Sequence, residues 1–244
     1  MIDAILVIGK PGSGKSIMIW YLSSLLIEDG FRIRYLSDRL ELEKAVMKDT
    51  VGVKPSHDGV KIGKHSKLIA DGPPGHMKVH VLDGVILNAV HKNYVQTVRK
   101  TKNSNAVLLI EYAVGPRIDF GNGKEPLLQD CHTFVDLVRT NGVKEKLFVI
   151  DIDVPLAIRE QREATRPDAM ALETFRSYFP DGGEMTKTDT EYLRGNYVRF
   201  NNLDEDHSGY YSEVRYMYET MIRPRLAHPV QRETIALKHR YRAG

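Results

Sequence analysis

The stretch Ile5–Trp20, ILVIGKPGSGKSIMIW, decides the fold. It runs an apolar segment into a glycine-rich turn that ends in Lys15-Ser16. Gly9 to Ser16 fit the pattern G-x-x-x-x-G-K-[ST], whose backbone N–H groups cradle phosphate. The flanks suit the motif. Ala4 to Ile8 is a short apolar run, as a buried strand requires. Lys15 to Ile27 is helix-compatible and apolar almost all round, as expected of a helix packed on a sheet. Gly12 and Gly14 let the backbone turn tightly around an anion, and the helix that follows adds its positive N-terminal end. Gly9, Lys10, Pro11, Gly12, Ser13, Gly14, Lys15 and Ser16 are therefore the candidate nucleotide-binding loop. In it Lys15 reaches the β and γ phosphates, and the Ser16 hydroxyl is offered to Mg2+.

With 244 residues and 42% hydrophobic content, the chain suits one α/β domain with a proper core. A net charge of +3 is too mild to argue for nucleic acid. Cys131 is the single cysteine, which rules out an internal disulfide framework and suits a reducing cytoplasm. It falls on the apolar stripe Leu127, Cys131, Phe134, Val135, Val138 and reads as a core thiol. No segment is long and apolar enough to span a membrane. The start Met-Ile-Asp has no basic region of the secretory kind.

Further apolar runs predict a second strand over Phe31 to Leu36, a third over Ala106 to Ile110, a fourth over Leu147 to Ile152 and a fifth over Tyr197 to Asn201. Helical spacing predicts helices over 40–47, 86–98, 127–138, 155–166 and 211–221. Val51 to Gly84 breaks this rhythm and reads as an insertion, with a hairpin around Asp-Gly-Pro-Pro-Gly. Alternating strands and helices imply a three-layer α/β fold, a five-stranded parallel sheet with helices on both faces. The predicted organisation is one domain over 1–226, carrying the insertion 51–84 and a lid at 155–190, then a basic tail over 227–244. Ligands of such sheets bind at the carboxyl ends of the strands.

The phosphate motif resembles the P-loop NTPase superfamily. Within it, FVIDIDVPLAIREQREATR (148–166) is similar to the strand and arginine-bearing lid of nucleotide and nucleoside kinases. Arg159, Arg162 and Arg166 share one helical face, and lid arginines place charge on a moving phosphoryl group. A solvated basic face is the competing reading, because Glu160 and Glu163 alternate with the arginines. YVRFNN (197–202) resembles the last core strand of such kinases, which implies an adenine-side contact near Asn202. The resemblance implies ATP and Mg2+ as cofactors and a small acceptor, a nucleotide or nucleoside. It runs over roughly Met1 to Ala227, with a poor match over 51–84. TKTD (186–189) has the letters of a guanine-reading motif but follows no apolar strand.

The acceptor pocket is expected between the second and third core strands. Asp38 follows a strand and would accept a proton from an attacking hydroxyl or hydrogen-bond a sugar or base, unless it caps the helix at 40–47. Arg39 would hold an acceptor phosphate. Glu111 ends VLLIE and resembles the acidic residue that holds the Mg2+ shell or activates the acceptor. Asp83 is its rival, and Arg117 and Asp119 on the next loop are further acceptor-side candidates. His57, His65, His76, His80 and His91 lack zinc spacing. A kinase acting within nucleic acid and a nucleotide-dependent switch or assembly ATPase are the alternatives. A homodimer is compatible with the sequence, and no membrane partner is expected.

Overall fold

The computed structural model describes residues 1–70, 77–101, 106–165, 171–203 and 207–226. In chain order its elements are β1 (Ala4–Gly9), α1 (Lys15–Glu28), β2 (Arg32–Ser37), α2 (Asp38–Asp49), β3 (Lys61–Ile62), β4 (Ser66–Ala70), β5 (Lys78–Val81), α3 (Val85–Lys100), β6 (Ala106–Ala113), α4 (Cys131–Asn141), β7 (Leu147–Asp153), α5 (Leu156–Ala164), α6 (Leu172–Tyr178), α7 (Lys187–Tyr192), β8 (Tyr197–Asn201) and α8 (His207–Met217).

β2, β6, β1, β7 and β8 form one sheet in that order, every pair parallel. β1 lies at its centre and is buried on both faces, so it reads as an unbroken apolar run. The alternation of side chains splits the core in two. Ile5 and Val7 face α1 and α8, with Met18, Leu22, Leu26, Val214 and Ile222. Ala4, Leu6 and Ile8 face α3 and α4, with Val90, Tyr94, Phe134 and Val138. β1 leaves the sheet toward the α1 face, while its neighbour β6 leads to α4 on the other. Adjacent strands that diverge in this way open a crevice at their carboxyl ends.

Several expectations shift. α1 is one-sided, since Trp20 and Ile27 are 65% and 63% exposed. The helix expected from Leu127 begins at Cys131, because Leu127 is used in an antiparallel bridge to Ile118 and Asp130 caps the helix by accepting from the Thr133 N–H at 2.8 Å. β6 continues past Ile110 to Ala113, so Glu111 lies inside the strand. The insertion carries a three-stranded antiparallel sheet, β3-β4-β5, whose Leu68 packs with Val46, Met77 and Ile86. Its Asp-Gly-Pro-Pro-Gly turn and the basic tail lie outside the described residues. Thr186 and Asp189 form the capping box of α7, a structural use of the TKTD letters. No helix among the described residues is long and apolar enough to cross a membrane.

Candidate active site

The loop between β1 and α1 needs its glycines. Gly12 and Gly14 hold φ of +78° and +94°, values that a side chain would strain. There is also no room. A Cβ on Gly12 would lie 2.8 Å from the Arg159 carbonyl oxygen, and one on Gly14 would lie 2.4 Å from Asn202 Nδ2. The loop folds on itself, as Ser13 N–H and Lys15 Nζ both donate to the Lys10 carbonyl, each at 3.1 Å. The Lys10 side chain turns outward to Glu184 and Asp181 on the segment before α7. Pro11 sits half-buried in the turn. α1 has no side-chain cap and no acidic residue in its first turn, so its N-terminal end stays positive toward an anion.

Ser16, in that first turn, donates its hydroxyl to Glu111 Oε1 at 2.9 Å. The other Glu111 oxygen accepts from the Tyr35 hydroxyl. Tyr35 and Glu111 sit on neighbouring strands, where Tyr35 pairs with Leu109 and Ser37 with Glu111. The alternation puts both side chains on the α1 face. Burial and the Glu111 carboxylate raise the Tyr35 phenol well above its ordinary range. Tyr35 is a residue the sequence did not flag; its place two positions before Ser37 in an alternating strand was the available signal.

Asp38 is buried at the first turn of α2. One carboxylate oxygen accepts from the Arg39 N–H at 2.7 Å, and the other from the Ala113 N–H at the end of β6. The strand pair is thus stitched at the mouth of the crevice. Burial pushes the Asp38 carboxyl up to about 6, against the pull of the Lys15 ammonium and the two N–H donors; the Glu111 charge adds to the rise. Ser37, not Asp38, occupies the cap position of α2, and its side chain makes no capping bond.

The arginines expected on a lid divide. Arg162 donates to the Gly12 carbonyl at 3.4 Å and to the Asn202 carbonyl at 3.1 Å, so it touches the phosphate loop. Arg159 is only 1% exposed and turns away from the loop. It donates to Val154 O at 3.1 Å, Phe179 O at 3.3 Å and Asp181 Oδ1 at 3.3 Å, and packs over the Phe175 ring. It ties α5 to the segment beyond α6, a strut in place of the expected phosphate contact. Its shared helical face with Arg162 does not give a shared target, because α5 is wedged against Gly12. Arg166 lies outside the described residues. Asn202 makes a contact that the sequence did not foresee: its side-chain amide donates to Ser13 O at 2.8 Å and so binds the loop itself.

The remaining acceptor-side candidates scatter. Arg39 reaches Glu43 at 3.3 Å, and buried Glu43 accepts from Met77 N–H at 3.2 Å, linking α2 to the insertion. Asp83 accepts from the Val85 N–H at 3.0 Å and meets His65 Nδ1 at 2.7 Å, which makes it an anchor between α3 and β4 in place of a cleft carboxylate. Arg117 and Asp119 are exposed, and Asp119 accepts from Gly121 N–H within its own turn. His91 is buried against Tyr112, and burial lowers it to about 3, so it stays neutral. Asp151, beside the loop on β7, is raised by burial and accepts from the Tyr197 hydroxyl at 2.9 Å.

The Ser16 hydroxyl and Glu111 carboxylate are an all-oxygen pair. That fits Mg2+, which takes one or two protein oxygens and completes its shell with phosphate and water. Among the described residues no three His, Cys, Asp or Glu side chains gather into a protein-only metal cage.

No family model matches the sequence, and no curated protein matches it. Solved structures do resemble the chain. An unliganded sugar kinase from Janibacter sp. HTCC2649 is 10% identical, with 93% of this chain and all of that one covered, at a TM-score of 0.45. Shikimate kinase from Acinetobacter baumannii, in complex with shikimate, is 12% identical over 93% and 97%, at 0.42. TT1252 from Thermus thermophilus is 14% identical over 90% and 98%, at 0.40. At such identities and TM-scores the likeness carries no weight for activity. The α/β fold itself, a phosphate-type loop on a five-stranded parallel sheet, is set by the strand pairings of this chain.

Proposed function

We propose that this chain is an ATP- and Mg2+-dependent phosphotransferase that moves the γ-phosphoryl group to a small acceptor, a nucleotide or nucleoside. The observation that carries the reading is the pair of carboxylates around the loop. Glu111 reaches Ser16 from β6, and Asp38, buried at the start of α2, is within the electrostatic reach of the Lys15 ammonium. A nucleotide switch needs only the first. Transfer to a hydroxyl gains from a second carboxylate that takes the acceptor proton.

Asp38, buried and raised to about 6, suits that role at neutral pH, where it is ionised yet basic. The acceptor oxygen bonds to the γ-phosphorus, the bond from that phosphorus to the bridging oxygen breaks, and the acceptor proton goes to Asp38. Lys15 places positive charge beside the oxygens that gain negative charge, and Arg162 holds the loop at the Gly12 carbonyl. Ser16 and Glu111 would hold Mg2+, which supplies charge neutralisation across the β and γ oxygens. The β-sheet insertion packed on α2 and α3 walls the acceptor side.

The test is labelled ATP with a panel of nucleosides and nucleotides, comparing wild type with Lys15→Ala. Label should pass to one class of acceptor, and the folded variant should transfer none. Hydrolysis without transfer to any acceptor would leave the switch reading in its place.

A further inference from the structure

Asn202 is buried, 3% exposed, immediately after β8. Its backbone N–H donates to Asp153 O at 3.3 Å, which fixes it to β7. Its side-chain amide crosses to Ser13 O at 2.8 Å, and its carbonyl accepts from Arg162 at 3.1 Å. Arg162 in turn reaches Gly12 O. Two successive loop carbonyls, Gly12 and Ser13, are thus held from outside by groups that belong to the lid helix and the last strand.

The physical consequence follows from the planar trans peptide, in which the C=O and the next N–H point in opposite directions. Pulling Ser13 O outward turns the Gly14 N–H inward, toward the anion position. We infer that Asn202 is a positioning residue of the phosphate loop: its amide holds the Ser13–Gly14 peptide in the orientation that binds phosphate, and Arg162 links that clamp to the lid. The missing side chain at Gly14 agrees, since a Cβ there would collide with Asn202 Nδ2. Asn202 Oδ1 is buried and has no hydrogen-bond partner among the described residues. A residue that keeps such a cost is held in place for its donor and not for its acceptor. The inference rests on the proposed nucleotide site, and it moves Asn202 from an adenine contact to the loop.

Tripolyphosphate, which has no base or sugar, separates the two roles. Asn202→Ala should bind tripolyphosphate and ATP about tenfold more weakly, or about 1.4 kcal/mol, as for loss of one aligned donor. Asn202→Asp has the same shape and keeps the test open if the alanine variant fails to fold. It lacks the donor when ionised and regains one as the protonated acid. Its tripolyphosphate affinity should therefore rise as pH falls from 8.5 to 5.5, relative to wild type at each pH. Wild-type affinity in either variant at pH 8.5 would overturn the inference, as would an Asn202→Asp defect that does not recover at low pH. Loss of ATP binding with tripolyphosphate binding intact would return Asn202 to the base. Lys15→Ala is the separate control: if it retains tripolyphosphate binding, the phosphate-loop reading itself fails, whereas loss there with intact Asn202 variants removes only the clamp.

Discussion

The Ser16 hydroxyl lies 2.9 Å from Glu111 Oε1, joining the first turn of α1 to the interior of β6 across the crevice. Glu111→Gln keeps the shape and removes the charge that would hold Mg2+. Turnover should fall by roughly 100-fold or more, with the Mg2+ concentration for half-maximal rate raised, while metal-free nucleotide binding changes little. Tyr35→Phe removes only the hydrogen bond to the other Glu111 oxygen and should show the same pattern several-fold weaker. Steady-state rates across a Mg2+ titration check both.

Asp38 sets a pH dependence. Its folded-state value, about 6, stands above the ordinary 3.8. In the proposed reaction Asp38 acts in its base form, so kcat/KM should decline as pH falls through about 6. The stability effect has the opposite sense. Between about 4 and 6 the folded protein binds more protons than the unfolded chain, so stability falls as pH rises through that window, by on the order of 3 kcal/mol in all. Thermal melts of wild type and Asp38→Asn from pH 4 to 7 check this. The variant should lack that component of the slope.

Arg159 and Arg162 lie three residues apart and should fail differently. Arg159→Ala removes the donors that serve the Val154 and Phe179 carbonyls and empties a buried site, costing about 2–4 kcal/mol and a Tm loss of roughly 5–10 °C. Arg162→Ala should leave Tm within a few degrees yet lower kcat by about 10–100-fold, since it holds the loop that would position the transferring group. Calorimetry and single-turnover rates on both variants distinguish strut from site.

Gly12→Ala forces a side chain into φ +78° with its Cβ 2.8 Å from Arg159 O. The loop and α5 must part, so ATP binding should be lost. Gly121→Ala has a similar φ, +66°, with nothing within 4 Å. It should cost only about 1–2 kcal/mol of backbone strain and keep wild-type ATP affinity by calorimetric titration.

The strands were legible because burial on both sheet faces demands unbroken apolar runs, as in Ala4–Ile8 and Leu147–Ile152. Boundaries were less so. The turn after β6 borrows Leu127 for a bridge to Ile118, and only the partner strand reveals that its apolar spacing is not helical there.

Sequence by itself determined the phosphate loop, because Gly12, Gly14, Lys15 and Ser16 act through local backbone conformation and need no distant partner. It also determined the alternation of strands and helices, which is a matter of side-chain period. Only the tertiary structure decided which polar side chains meet. Asp83 and Glu111 both end apolar runs in the chain, yet Asp83 anchors α3 and Glu111 reaches Ser16. Arg159 and Arg162 share a helical face, yet one ties α5 to Asp181 and the other holds the loop. Asn202 is 189 positions from Ser13 and bonds to it. Each of these outcomes depends on strand order and helix placement, which bring residues together across separations that no local pattern encodes.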